Sequence, residues 1–140
     1  MLSDYTADEL LDWLKGNAVA TPPSALYLSL HSANPGPAGT SSDITTTLAG
    51  ARVEVPQEDL GALADRAEGG RQTSSEEVIT FTSSALASGS ITHVGLWDAS
   101  SGGNFLAGDA LEAVVNVLPG DIIRIPIGQF QLIAVGFPDP

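Results

Sequence analysis

The stretch from Ser90 to Leu111 constrains the fold more than any other part of the chain. Along its first half, Thr92, Val94, Leu96 and Asp98 alternate with Ile91, His93, Gly95 and Trp97, so apolar groups fall on both faces. A strand that is apolar on both faces belongs inside a sheet, not at its edge. Ser100-Ser101-Gly102-Gly103-Asn104 then supplies the small residues of a tight turn, and Phe105-Leu106-Ala107 starts a returning strand. The segment predicts a β-hairpin whose first strand is central.

Other segments carry the same period of two. In Ala25–His31 the leucines Leu26, Leu28 and Leu30 take one face, with Tyr27, Ser29 and His31 on the other, which predicts a half-buried strand. Arg52–Val55 predicts a short strand, and Val78, Thr80 and Thr82 alternate with Ile79 and Phe81 in the next. Val114–Val117, Ile122–Ile127 and Phe130–Val135 add further strands, with Leu118-Pro119-Gly120-Asp121 as a turn. The tail Phe137-Pro138-Asp139-Pro140 cannot extend a sheet far, because proline lacks an amide donor. Short strands at roughly ten-residue spacing predict a mainly β fold, an antiparallel β-sandwich or barrel-like domain.

One helix is predicted, over residues 6–15, within a helical N-terminal arm at 1–20. Thr6-Ala7-Asp8-Glu9 has capping-box spacing, acidic residues lie in the first turn, Lys15 in the last, and Gly16 follows as a terminator. Leu10, Leu11, Trp13 and Leu14 form an apolar sector that either packs on a sheet or docks onto a neighbouring subunit. A short second helix is permitted at 57–67 by Leu60, Leu63, Ala64 and Ala67, although Gly61 weakens it. Residues 34–50, opening on Asn34-Pro35-Gly36-Pro37, are predicted to be an exposed loop.

The chemistry of an enzyme is hard to assemble from these residues. Cysteine is absent, which removes thiolate nucleophiles, disulfides and thiolate zinc ligands. His31 and His93 are the only histidines, each within a predicted strand and without a second histidine at ligand spacing. No Gly-x-Ser-x-Gly motif marks a nucleophilic serine. Asp98–Asn104 offers oxygen donors among glycines, but most positions of a calcium loop are unfilled, so Asp98 is assigned to bonding the amides of its own turn. Glu58-Asp59 and Glu76-Glu77 read as solvated charge. The expectation is no catalytic site, no cofactor and no metal.

Five basic against 17 acidic residues give a formal charge of −12. Such a surface repels phosphate backbones and anionic membranes, so neither nucleic acid nor a membrane is an expected partner. No apolar run reaches the roughly 18 residues of a membrane span, and the N-terminus has no secretory pattern, so synthesis in a cytoplasm is expected. Among the scarce cations, Arg66 and Arg71 flank Gly69-Gly70 and either form local ion pairs or anchor this loop on an acidic neighbour. Leu10, Trp13, Leu14, Arg66 and Arg71 are therefore the candidate partner-contact residues.

Taken in order, several landmarks resemble a known family. They are Glu9-Leu10-Leu11-Asp12, Thr21-Pro22-Pro23, Leu26–Gly36, Ile91–Ala99, Gly102-Gly103-Asn104-Phe105-Leu106 and Pro119-Gly120-Asp121. The series is similar to small tailed-bacteriophage virion proteins, often labelled tail-fibre-like. The chain departs from them over residues 44–72, where an acidic variable insertion (56–72) replaces a short Gly-rich approach to the next strand. The resemblance implies a non-enzymatic virion component with the major capsid protein or tail proteins as partners; the length predicts one β-rich domain spanning 1–140, and sheet edges with the apolar helix face predict a homo-oligomeric or lattice-bound state. A compact domain without shaft repeats is a poor stand-alone fibre, which favours a head decoration (cement) protein that stabilises the assembled capsid. A tail-associated attachment module, contacting other tail proteins or host glycans through Tyr27 or Trp97, is the alternative.

Overall fold

A computed structural model describes residues 1–136, so the Phe137–Pro140 tail lies outside the described residues. In chain order the elements are α1 (Asp4–Leu14), β1 (Leu26–His31), α2 (Thr45–Ala49), β2 (Val53–Val55), a 3-10 turn (Gln57–Asp59), β3 (Ala64–Asp65), β4 (Arg71–Ser74), β5 (Ile79–Thr80), β6 (Gly89–Trp97), β7 (Phe105–Val117), β8 (Arg124–Ile125) and β9 (Gln131–Ala134). The strands form an antiparallel four-stranded sheet ordered β2-β1-β6-β7, a three-stranded sheet β3-β4-β9 and a two-stranded β5-β8 ribbon. The fold is mainly β and antiparallel, as expected, and no barrel closes among the described residues.

Period two explains the main sheet. Leu28 stands opposite Val53 on one side and Leu96 on the other, and Leu26 opposite Val55, so these side chains share one face. That face meets Leu48 and Ala49 of α2, Ile79 and Phe81 around β5, and Ile123 and Phe130 further along, to form the apolar core. The central position predicted for the Ser90–Asp98 strand is realised, since β6 pairs with both β1 and β7.

The second face of β1 is buried too, contrary to the half-buried expectation: Ser29 and His31 are fully enclosed. The reason is the segment 32–44, which folds back across this face instead of projecting into solvent. Ser32 N–H donates to the Ser42 carbonyl, Ile44 N–H to the Leu30 carbonyl, and His31 bridges to Asp43. The exposed loop expected at 34–50 holds for most of 34–44, where Asn34, Pro37, Ala38 and residues 40–43 are exposed, and is corrected at two buried positions and over its last part. Pro35 and Gly39 are buried within it, and residues 45–49 are α2, with Thr45, Leu48 and Ala49 buried. Thr45 drives this by accepting a hydrogen bond from Leu30 N–H at 2.8 Å through its hydroxyl.

The short second helix thus exists at 45–49, not at 57–67. There the chain makes a single 3-10 turn, after which Gly61 N–H donates to the Ser74 carbonyl and Leu60 bridges Ser75. Pairing with β4 satisfies the backbone that a helix would have satisfied internally. β7 runs continuously through the separate Val114–Val117 strand expected from sequence. It does so by a wide irregularity: Ile91 pairs with Val115 but His93 with Ala110, leaving Leu111–Val114 opposite Thr92 alone.

α1 begins two residues earlier than predicted. Ser3, not Thr6, is the N-cap, its hydroxyl accepting from Thr6 N–H at 3.1 Å. Thr6 instead donates its hydroxyl to the Leu106 carbonyl at 2.7 Å, and Glu9 accepts from Ala20 N–H rather than reaching back to the cap. Leu2 bridges Ala107, and Ser3 N–H donates to the Leu106 carbonyl, so the chain start and the first helical turn are fixed to the edge of β7. Gly16, at φ +78°, terminates the helix in the left-handed conformation glycine tolerates.

Candidate functional site: the exposed face of the N-terminal helix

Polar groups converge under the β6–β7 turn. His31 Nδ1 lies 2.9 Å from the Ser41 carbonyl, to which it donates, leaving Nε2 to accept from the Ser29 hydroxyl at 2.7 Å. Trp97 Nε1–H donates to the same Ser29 oxygen at 2.9 Å. A serine bonded to a histidine resembles half of a hydrolytic triad, but here the histidine is oriented by a carbonyl, not a carboxylate. Both side chains are sealed from solvent and from any substrate. The network is structural: it ties β1, β6 and the 32–44 segment together with every group paired.

The rest of this region has the same character. The Arg52 guanidinium lies 3.6 Å from the Trp97 ring centroid, and its Nη1 donates to the carbonyls of Ala99 and Gly102, each at 2.9 Å. Burial pulls the pKa of Arg52 down from its ordinary value, while Asp43 and Asp98 push it up. Phe105 packs tilted against Trp97 at 5.1 Å. A Cβ on Gly39 or Gly95 would overlap the Phe105 ring, at 2.4 and 2.9 Å, which explains why the 32–44 segment can close down on the sheet. Asp98 accepts from the backbone and side-chain amides of Asn104, the turn role expected of it. Trp97 is only 5% exposed and covered by Arg52, so it is no open platform for a sugar. Tyr27 is half-buried.

The predicted contact residues fall in two separate places. Arg66 and Arg71 lie on the β3–β4 hairpin, which packs on β9. Arg66 pairs with Glu68 at 3.0 Å and donates to the Gly69 carbonyl; Arg71 pairs with Asp65 and donates to the Leu63 carbonyl. Both arginines thus make the local ion pairs that were one of their two readings. Exposed pairs of this kind contribute ~1 kcal/mol or less.

Leu10, Trp13 and Leu14 come together on α1, with Leu11 beside them. No residue of the helix is buried, and these four are 46%, 64%, 67% and 57% exposed. The sheet holds the helix through its first turn, by Ser3 and Thr6, and the segment after the helix returns to its polar side, where Ala20 N–H donates to Glu9; the helix is roughly 16 Å long at 1.5 Å per residue. At about 100° per residue, Trp13, Leu10, Leu14 and Leu11 span a sector roughly 160° wide. At the same 100° per residue Asp4 falls beside Leu11, whereas Asp8 and Asp12 turn away from the sector, Asp12 lying opposite its centre and accepting from Asn17 Nδ2 at 2.8 Å. The periodicity of the sequence groups the sector; that none of the described residues buries it is visible only in the fold.

Among the described residues no group of three or more histidine, cysteine or acidic side chains is placed to hold a metal, and no helix is long and apolar enough to cross a membrane. The candidate site is the exposed apolar sector of α1, carried on a β-rich body. No curated protein matches the chain. Comparison with protein families matches residues 1–133, nearly the whole sequence, to the podophage GP4 fiber I protein gp80 family. The chain belongs to that family of phage virion proteins.

Proposed function

We propose that this protein is a non-enzymatic structural module of the phage tail-fibre apparatus, joined to another virion protein through the outer face of α1. A single domain spanning 1–140 carries the face, with Leu10, Trp13 and Leu14 as the principal contacts. The observation that carries the reading is the exposure of four large apolar side chains on one helical sector, in a chain of a fibre family. Isolated exposed apolar residues are ordinary, whereas a contiguous set marks an interaction surface. The fibre description of the family supports a tail location over the head-decoration role. The engaged state of Arg66 and Arg71 gives them a secondary part, holding the β3–β4 hairpin.

Location in the particle tests this reading. Gold-labelled antibody against the protein should mark the tail region of intact particles, with few copies per particle. Labelling spread over the head at the stoichiometry of the capsid lattice would replace it with the decoration role. In parallel, the Leu10→Gln/Leu14→Gln variant, which keeps helix-forming residues, should fold normally yet fail to enter particles. Normal incorporation of that variant would remove α1 as the contact face.

A further inference from the structure

A second surface, sharing no residue with α1, lies where β7 ends. At its start the outer edge of β7 is closed by the chain's own first residues: Ser3 N–H donates to the Leu106 carbonyl at 3.0 Å and Gly108 N–H to the Met1 carbonyl at 2.9 Å. Beyond Gly108 no described strand lies on that edge, and β7 is the last strand of its sheet. An open groove of about 480 Å³ runs between residues 115–117 of β7 and the segment 120–124 that leads into β8. β8 is likewise the last strand of its ribbon. The Ile123 carbonyl accepts from Phe81 N–H, so by strand alternation Ile122 and Arg124 turn their main-chain groups away from β5, where no described residue pairs with them.

From these two open edges and the groove between them we propose that the protein takes an added strand here: an extended segment of a different protein, apolar at alternate positions and carrying a carboxylate beside Arg124. Main-chain pairing holds such a segment, and the pockets between the walls select its side chains. Pleating directs every second side chain toward the buried Val117 and Ile123, and the intervening ones toward the exposed Ile122 and Arg124. Arg124 sets the charge. Of the five Lys and Arg residues it alone has no side-chain partner among the described residues: Arg52 is engaged by Trp97 and two carbonyls, Arg66 by Glu68, Arg71 by Asp65 and Lys15 by Asp12. Asp121, also on the groove, is held in its own turn, where it accepts from Leu118 N–H at 2.8 Å. A second copy offers no loose strand for the groove, since its described strands are all paired within their own sheets.

Amide hydrogen exchange, read by mass spectrometry, compares the purified chain with the chain in intact particles. Exchange at Ile122 and Arg124 should slow by about tenfold or more in the particle, as their outward amides gain partners. Equal exchange in the two states would overturn the added strand. For the charge, the purified chain is added back to particles assembled without it, at a series of salt concentrations. Arg124→Glu should bind about tenfold more weakly than the parent at low salt and approach it as salt rises, whereas Arg124→Lys stays close to the parent. Unchanged binding of Arg124→Glu at every salt concentration would overturn the carboxylate-bearing occupant. Sedimentation of the purified chain supplies the last arm. A dimer that slows exchange at the same amides would assign the groove to a second copy and overturn the proposal.

Discussion

The two tryptophans of this chain occupy opposite situations. Trp97 is 5% exposed, hydrogen-bonded to Ser29, stacked under Arg52 and set against Phe105. Trp13 is 64% exposed on a helix that buries none of its residues. Both sit among apolar neighbours in sequence, yet one closes the fold and the other leaves it open. What separates them is not local hydrophobicity but whether other described residues return to cover them: segment 32–44 and Arg52 come back over the β6–β7 hairpin, whereas the segment after α1 returns only to Glu9 and leaves the apolar sector open.

The sharpest way to break this contrast is to truncate the buried member. Trp97→Ala removes a large packed ring, the partner of Arg52 and a donor to Ser29, and should cost about 3–5 kcal/mol of unfolding free energy. Denaturant titration reads this directly, and a loss below about 1 kcal/mol would mean the hub does not organise the fold. A Gly39→Val substitution attacks the same cluster from its lid. The added side chain meets the Phe105 ring and must also take a φ of +73°, so a loss of about 1–3 kcal/mol or more is expected.

A smaller effect isolates the polar part of the hub. Ser29→Ala keeps the volume nearly constant while leaving Trp97 Nε1–H and His31 Nε2 without their partner, which should cost about 1–3 kcal/mol. Combined with Trp97→Ala the two costs should fall well short of additive, because they delete one network. Full additivity would show the Ser29–Trp97 bond to be energetically idle.

Much of the β architecture is legible in the sequence because period two is a local property. Leu26, Leu28 and Leu30, Ile79 and Phe81, and the two-faced β6 all take the faces their alternation dictates. Features fixed by distant segments are not legible. Ser3 and Thr6 can both cap a helix, and the Leu106 carbonyl decides between them by engaging Ser3 N–H and the Thr6 hydroxyl. Leu60, Leu63, Ala64 and Ala67 have helical spacing, but β4 captures the backbone around Gly61. The contact face is half legible: the grouping of Leu10, Trp13 and Leu14 follows from 3.6-residue periodicity, whereas its exposure depends on what the other segments leave uncovered. Arg52 over Trp97 gives no local signal, since the two residues meet only through the β2-β1-β6 arrangement.

The exposed tryptophan supplies the smallest expected change in stability. Trp13→Gln removes a ring that touches little of the body, and helix propensity scarcely changes, so the unfolding free energy should move by no more than about 0.5 kcal/mol. Acrylamide quenching of the parent should resolve two emitting populations, one accessible and one shielded, and the variant should lose the accessible one alone. The same substitution should weaken entry into the particle, because a side chain neutral for folding but costly for assembly is placed for a partner. If Trp13→Gln instead destabilised the isolated protein as much as Ser29→Ala, the helix would be packing on its own body in solution, and the difference between the two tryptophans would be one of degree.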